Sequence, residues 1–328
     1  MGSAAYQNPI ININNNVGNV TDAYKNVWNN CVWMSDEKRQ ILEWLSPLAP
    51  RERHRAVSEG RMDGVGGWLL RTEEFQKWRT SEDQAVHPVL FCCGDPGVGK
   101  TYLRCVKVTF FEISCKTKQV KHSSLVIDTL YNSIDKDNVA VAGVYCDFHD
   151  HKEQSGASVL AVLLKQLVAG AEPIPEAIRE AFERAKRVFD GRTLRLPEIR
   201  AMLTKLLSSL RRGFICIDAL DEFPTRYRPE LLQSLQHIAQ ECPDIRIFIT
   251  GRPHIRGEVD RYFPGRPNLA PVKPTMEDIR GYVTMRLEND PVRDAMDTEL
   301  EADILRIVPE KISGSYVTSM NRESRAIG

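Results

Sequence analysis

Residues Gly94-Asp95-Pro96-Gly97-Val98-Gly99-Lys100-Thr101 fit the pattern G-x-x-x-x-G-K-[ST] of a phosphate-binding loop. The apolar run from Pro88 to Cys93 predicts the strand from which such a loop emerges. Glycine permits the positive φ and the close backbone approach by which N–H groups surround phosphate oxygens. We expect Lys100 to reach the β- and γ-phosphates and Thr101 to offer its hydroxyl to Mg²⁺. The stretch therefore predicts a bound nucleoside triphosphate.

A second motif lies at residues 214–218, where an apolar run ends in a carboxylate, as in a Walker B strand. We predict that Asp218 is a Mg²⁺ ligand. Asp221 and Glu222 follow directly, so one of them is expected to orient and deprotonate a water aimed at the γ-phosphate. Glu222 is the first choice for that catalytic role and Asp221 the second. The alternative is that these acids only cap the helix that begins near Pro224.

A third strand is predicted over residues 245–250, and Gly251-Arg252-Pro253 follows it. Arg252 would then lie at the carboxyl edge of the sheet, where open α/β sheets bind their ligands. Two interpretations stay open for its side chain. It senses the γ-phosphate as part of the catalytic set, or it pairs with a neighbouring carboxylate.

Four motifs together resemble the NACHT class of STAND signal-transducing NTPases, close to fungal NOD-like receptors and the nephrocystin-like N-terminal P-loop domain. They are G-D-P-G-V-G-K-T, I-D-A-L-D-E, T-G-R-P and the stretch G-V-G-G-W-L-L-R-T-E-E-F-Q-K-W from Gly64 to Trp78. The resemblance covers roughly residues 35 to 310. It implies a nucleotide-driven switch that is closed with diphosphate and oligomerises with triphosphate. It also implies an effector segment before the NTPase and sensing repeats after it.

The expected fold is a three-layer α/β P-loop NTPase with a mostly parallel sheet, a helical N-terminal segment and a partial C-terminal helical domain. Residues 1–30 are rich in asparagine and predict a disordered leader, or stacked asparagine ladders on self-association. Residues 31–85 predict a helical linker that contains the G-x-G-x-W-L-L segment. Residues 86–273 are assigned to the NTPase domain. Residues 274–328 are assigned to a helical lid that stops early, so the chain is expected to be truncated.

Hydrophobic spacing places individual elements within these regions. An N-terminal helix is expected to begin near Ser35 and to end before Pro47 and Pro50. Further helices are predicted over 157–169, 176–189, 197–211, 276–288 and 296–308, and strands over 139–148 and 268–272. Trp68 and Trp78 are expected to pack against the sheet rather than to stack on the nucleotide base.

The segment Cys105 to Ser123 departs from the family pattern. It interrupts the helix that should follow the phosphate-binding loop, and Val106 to Phe111 within it has a strand-like composition. Without it, Leu103 and the apolar residues of 125–130 share one helical face. We interpret the segment as an unspliced intron or a recent insertion.

Composition agrees with an intracellular NTPase. The chain has 328 residues, 42% of them apolar, and a formal net charge of zero, which gives no electrostatic reason to expect nucleic acid as a partner. The cysteines form no C-x-x-C pair, which favours reduced thiols and a cytoplasmic location. No targeting signal is evident, and the longest apolar stretch, 157–171, is too short and too polar to cross a bilayer.

The sequence as a whole predicts binding of ATP or GTP with Mg²⁺ and slow hydrolysis as the timer of a signalling switch. The choice between adenine and guanine stays open. One alternative is an interaction module that binds nucleotide without turnover. Another is a gene fragment that does not fold.

Overall fold

The fold is built around a five-stranded sheet with the strand order β2-β3-β4-β1-β5 in a computed structural model. All four pairs of neighbouring strands are parallel. The strands are β1 (Val89–Cys93), β2 (Val139–Tyr145), β3 (Arg212–Asp218), β4 (Ile245–Gly251) and β5 (Asn268–Pro271). The residues described by the structure are 35–59, 67–83, 86–93, 122–132, 138–147, 155–187, 194–265, 268–271, 276–288 and 297–308.

Helices precede, connect and follow these strands. They are α1 (Asp36–Leu45), α2 (Pro50–Glu59), α3 (Gly67–Arg71), α4 (Glu73–Thr80), α5 (His122–Asn132), α6 (Gly156–Gly170), α7 (Glu176–Lys186), α8 (Leu196–Leu207), α9 (Arg228–Glu241), α10 (Arg256–Tyr262) and α11 (Met276–Glu288). A last helix covers 298–308. Single 3₁₀ turns lie at Leu220–Glu222 and Pro253–Ile255.

Both faces of the sheet are covered by helices, because side chains along each strand alternate between two apolar clusters. In β1, Val89 and Phe91 pack with helices α1 and α6 to α10, whereas Leu90 and Cys92 pack with α3, α4 and α5. A parallel sheet buried on both faces needs such near-continuous apolar strands. The predicted three-layer P-loop NTPase fold is confirmed.

The N-terminal helix α1 is docked on α6 by two lysines that satisfy helix-end carbonyls. Lys38 of α1 donates to the carbonyl of Ala171, just beyond α6, at 3.0 Å. Lys165 of α6 donates to the carbonyls of Ser46 and Leu48, just beyond α1, at 2.7 and 2.8 Å. Cations suit these positions because the last carbonyls of a helix lack partners. The predicted start at Ser35 is also confirmed, since its side chain caps the helix.

Trp78 packs in the core, as predicted. Its side chain is 0% exposed and lies among Phe75, Phe214 and Phe248, with ring centroids 5.6 to 6.1 Å away. Its indole N–H donates to the carbonyl of Pro88 at 2.9 Å. Stacking on a nucleotide base is therefore ruled out for this tryptophan.

The other predicted elements within the described residues are present, with boundaries shifted by a few positions. The helices expected at 157–169, 176–189 and 276–288 correspond to α6, α7 and α11, and the strand expected at 268–272 corresponds to β5. Helix α11 and the last helix share a small apolar cluster of their own. The leader, the phosphate-binding loop and residues 309–328 lie outside the described residues.

The structure places the end of the interrupting segment inside a helix. Helix α5 begins at His122, and Ser123 is only 2% exposed. Ser123 thus belongs to the folded body, although the sequence analysis assigned it to the insertion. Residues 105–121 lie outside the described part of the chain.

Candidate nucleotide site

The carboxyl edge of the sheet brings together the ends of the three strands, β1, β3 and β4, to which the predicted motifs belong. Strand β1 ends at Cys93, directly before the predicted phosphate-binding loop Gly94 to Thr101, and it lies between β4 and the edge strand β5. Because all the strands are parallel, the residues that end β3 and β4 lie at the same edge. The roles predicted for residues of the loop itself stay predictions.

Asp218 is held at this edge by two hydroxyl groups. The hydroxyl of Thr250, at the end of β4, donates to its Oδ1 at 2.6 Å. The hydroxyl of Ser123, in the first turn of α5, donates to the same oxygen. Its main-chain oxygen accepts from the N–H of Cys146 at 3.0 Å. The carboxylate is therefore fixed between two strand ends and the start of a helix.

Thr250 also organises the turn that follows β3. Its hydroxyl oxygen accepts from the N–H of Ala219 at 2.9 Å while its proton is directed at Asp218. Ala219 adopts a left-handed conformation with φ 56° and ψ 46°, which costs a non-glycine residue about 1 kcal/mol or more. The 3₁₀ turn Leu220–Glu222 then carries both candidate bases. Thr250 thus joins the carboxylate of Asp218 to the start of the acidic turn.

The two acids of this turn differ in their surroundings. Asp221 is 2% exposed at its side chain and pairs with Arg252, whose Nε lies 3.0 Å from Oδ2. Arg252 is 41% exposed. The ion pair occupies Oδ2 of Asp221, and Glu222 stays the first choice from the sequence for the catalytic role. For Arg252 the structure shows the second of the two interpretations, pairing with a carboxylate.

Sequence reasoning missed Ser123 and Thr250 as partners of Asp218. Thr250 lies inside the quoted T-G-R-P motif, but its neighbour Arg252 received the functional role. A polar residue ending a buried strand beside a Walker B strand was the available signal. Ser123 offered no comparable signal, because the interrupting segment hides its position relative to the phosphate-binding loop.

Buried thiols line the strands that end at the site. Burial raises the pKa of the Cys92 and Cys216 thiols above the usual range, and the charge of Asp218 adds to the effect on Cys216. A thiol with a raised pKa stays protonated and unreactive near neutral pH. The predicted reduced state fits this environment, since Cys92, Cys216 and Cys242 form no disulfide.

The N-terminal helical segment is bonded to α5 through a histidine. In α2, Nε2 of His54 donates to the carboxylate of Asp128 on α5 at 2.9 Å. Its Nδ1 lies within hydrogen-bonding distance, 2.6 Å, of the hydroxyl of Tyr145 at the end of β2. Arg53 pairs with Asp147 at 2.5 Å beside it. Helix α5, which supplies Ser123, is thus bonded to the N-terminal segment.

The oxygen groups around Asp218 suit a hard cation. Mg²⁺ is usually held by one or two carboxylates together with substrate phosphates rather than by a cage of protein ligands. Over the described residues, no group of three or more His, Cys, Asp or Glu side chains could hold a metal ion. A single fixed carboxylate is compatible with a metal ion that is shared with substrate phosphates. No helix among the described residues is long and apolar enough to span a membrane.

Solved structures similar to this chain are distant ones. A Walker-type ATPase of Pyrococcus abyssi has a TM-score of 0.39 and 14% identity, with 78% of this chain and 76% of that chain covered. Cdc6p from Pyrobaculum aerophilum has a TM-score of 0.37 and 15% identity, with 74% and 52% covered. The ORC1 protein of Aeropyrum pernix, in complex with DNA, has a TM-score of 0.33 and 16% identity, with 86% and 66% covered. These values carry no functional argument.

A sequence profile gives the closer assignment. The profile described as Nephrocystin 3, N-terminal matches residues 64–252, and no curated protein matches the chain. The matched range begins at the Gly64 stretch, includes the phosphate-binding loop and Asp218, and ends at Arg252. Because it spans more than half of the chain, the protein belongs to the nephrocystin-3 N-terminal family.

Proposed function

We propose that this protein binds a nucleoside triphosphate with Mg²⁺ at the carboxyl edge of its sheet and hydrolyses it slowly. The observation that carries the proposal is the fixed position of Asp218, held by Thr250 and Ser123 at the edge where β1 leads into G-D-P-G-V-G-K-T. A carboxylate at the end of a strand is what a Walker B segment contributes to the binding of the Mg²⁺ that accompanies the phosphates.

Each motif residue has a role in this proposal. Lys100 and the loop backbone bind the phosphates, and Asp218 with Thr101 would hold Mg²⁺. The metal, when bound, neutralises charge on the β- and γ-phosphate oxygens. Glu222 accepts a proton from the attacking water, and Asp221 is the second choice for that role.

Arg252 is the element that would report the state of the nucleotide. Its side chain is 41% exposed and pairs with Asp221 at 3.0 Å. A γ-phosphate competes with a carboxylate for a guanidinium because both present oxygen pairs to its donors. Exchange of Arg252 between these partners would couple the triphosphate to the acidic turn.

The family resemblance extends this chemistry to a signalling switch of NACHT and NOD-like receptor type. The triphosphate form would oligomerise, and the diphosphate form would stay closed. A cytoplasmic location fits the free buried thiols. Nucleic acid is not proposed as a partner because the net charge is zero. The DNA named for the ORC1 structure is a property of that protein.

A second candidate function is nucleotide binding without turnover, as an interaction module. The observation that favours this second function is the ion pair between Asp221 and Arg252. Of the two acids in this turn that are proposed as a base, Glu222 is then the one that remains. Phosphate release under Mg²⁺ separates the two functions. Multiple turnovers support hydrolysis, whereas tight binding with no release supports the interaction module.

Thermal denaturation with a panel of nucleotides tests the proposal. ATP, GTP and the two diphosphates are compared with and without Mg²⁺. A ligand present at about 100 times its dissociation constant should add about 2.7 kcal/mol of stability. The stabilisation should vanish in Lys100→Ala and lose its Mg²⁺ dependence in Asp218→Asn. If no nucleotide stabilises the wild-type chain, the proposed function is wrong.

A further inference from the structure

A buried arginine holds the turn that carries Asp221 and Glu222. Arg228 is the first residue of α9 and is 5% exposed. Its Nε donates to the carbonyl of Leu220 at 3.1 Å. One terminal nitrogen donates to the carbonyls of Asp221 at 3.1 Å and Phe223 at 2.8 Å. The other terminal nitrogen donates to Glu258 of α10 at 2.9 Å.

These contacts use the particular geometry of arginine. A guanidinium presents five N–H donors in a rigid plane, so it can satisfy several carbonyls and a carboxylate at once. The ammonium of a lysine has three donors around one nitrogen and cannot reach the same set of oxygens. The turn therefore depends on the residue type at position 228 and not only on its charge.

Burial of this charge is compensated from a different element. The side chain of Arg228 is 6% exposed and that of Glu258 is 23% exposed. A buried cation is costly unless a counter-charge and hydrogen bonds replace water, and removal of one partner leaves the other uncompensated. Glu258 supplies the counter-charge, and the three carbonyls supply the remaining acceptors.

The acidic turn is consequently tied twice to the segment that follows β4. Arg252, directly after β4, binds the carboxylate of Asp221, and Glu258 of α10 holds the guanidinium that binds the turn's carbonyls. Neither bond uses the side chain of Glu222. The backbone of the turn is thus fixed independently of the acid that the proposed hydrolysis needs.

We propose that Arg228 is a positioning residue for hydrolysis, which fixes the acidic turn so that Glu222 faces the γ-phosphate. This inference rests on the proposed function. None of these four hydrogen bonds joins Arg228 to Asp218 or to a residue that is predicted to bind the phosphates. Its loss should therefore slow turnover and leave nucleotide affinity unchanged.

Arg228→Lys is the principal variant, because it keeps the positive charge and cannot make the same hydrogen bonds to the three carbonyls of the turn. Glu258→Gln is the milder second variant, since it keeps an acceptor and removes only the counter-charge. Arg256→Lys is the matched control, because Arg256 is 50% exposed and pairs with Asp260 within the same helix as Glu258. Three quantities are measured for each: turnover of the triphosphate with Mg²⁺, the dissociation constant of a non-hydrolysable triphosphate, and hydrogen exchange of the amides of 219–223.

We expect Arg228→Lys to lower kcat by about tenfold or more, as the loss of several hydrogen bonds to one turn implies. Exchange of the turn's amides should accelerate by a similar factor. The dissociation constant should stay within about twofold of the wild-type value. Glu258→Gln should show smaller changes in the same direction, and Arg256→Lys none. Combining Arg228→Lys with Glu222→Gln should slow turnover no further than Glu222→Gln alone, because both changes act through one group.

The proposal is overturned if the amides of 219–223 exchange as slowly in Arg228→Lys as in the wild type. It is also overturned if the affinity for the non-hydrolysable triphosphate falls by as large a factor as turnover. If Arg228→Lys does not fold, Glu258→Gln decides by the same measurements. If the wild-type chain binds triphosphate without turnover, the proposed hydrolysis is wrong. Hydrogen exchange of the amides of 219–223, measured with the non-hydrolysable triphosphate bound, then still decides whether Arg228 fixes the acidic turn.

Discussion

Replacement of Thr250 by valine tests the geometry of the site with the least change in shape. The hydroxyl of Thr250 donates to Asp218 at 2.6 Å and accepts from the N–H of Ala219 at 2.9 Å. Valine keeps the β-branched side chain that suits the end of β4 and removes both bonds. Ala219 is 1% exposed, so water cannot simply replace the lost acceptor.

The cost follows from these two bonds. A hydrogen bond to a charged group contributes about 1.5 to 3 kcal/mol, and a buried donor left without an acceptor costs about 1 to 3 kcal/mol. Because the bonds share one hydroxyl, their effects are not fully additive. We expect Thr250→Val to lower the free energy of unfolding by about 2 to 4 kcal/mol. For a domain of this size, the midpoint of thermal unfolding should fall by roughly 5 to 15 °C.

The assay is thermal and denaturant unfolding of the wild type, Thr250→Val and the control Thr250→Ser. Serine retains the hydroxyl and should recover most of the lost stability. Mg²⁺-dependent triphosphate binding is measured in parallel, and only the valine variant should lose part of that dependence, since Asp218 then loses one of the two hydroxyl donors described above. Equal stability of the valine and serine variants would refute the reasoning.

Three further predictions concern the acid, the thiols and the interrupting segment. Glu222→Gln should leave triphosphate affinity unchanged and slow phosphate release by about 10² or more, because the amide keeps the shape and loses the base; titration and single-turnover kinetics check both halves. Cys92 and Cys216 should resist alkylation at pH 8 until the chain unfolds, because burial raises the pKa of both thiols; mass spectrometry before and after denaturation measures this. A chain that lacks residues 104–122 should unfold at a higher temperature than one that lacks residues 105–123. The two deletions are equally long, but only the first keeps Ser123 and its bond to Asp218. Equal melting temperatures of the two chains would count against that bond.

The layers and most elements of the fold could be predicted because buried strands and helices have recognisable hydrophobic patterns in the local sequence. Strands buried on both faces need continuous apolar runs, and β3 and β4 show them. The stripe of Ile41, Leu42 and Leu45 identified α1 for the same reason. Asp218 was identifiable since it directly ends such a run.

The partners of the site residues could not be predicted in the same way. Thr250 and Ser123 meet Asp218 across 32 and 95 residues of sequence, and Arg228 meets Glu258 across 30. No local pattern encodes contacts of this kind, because they depend on how strand ends and helix starts converge in space. Arg246 is a further example: it is 2% exposed within β4, where its guanidinium binds carbonyls of Trp78 and Ser81.

The interrupting segment also obscures the start of α5 in the sequence. It separates Thr101 from α5, so the helix that should continue from the phosphate-binding loop was recognised only from residue 124 onward. The bond between Ser123 and Asp218 shows that the folded helix begins earlier. The interrupting segment should therefore end before Ser123. This is the reason for comparing the two deletions.

Equilibrium titration of a fluorescent triphosphate with Mg²⁺ tests the central claim most directly. The wild-type chain is compared with Lys100→Ala and with the control Lys205→Ala, which removes an exposed lysine of α8. The account predicts saturable binding to the wild type and the control, and no measurable binding to Lys100→Ala, because no other cation of the loop can replace the contact with the β- and γ-phosphates. Unchanged affinity in Lys100→Ala would contradict it.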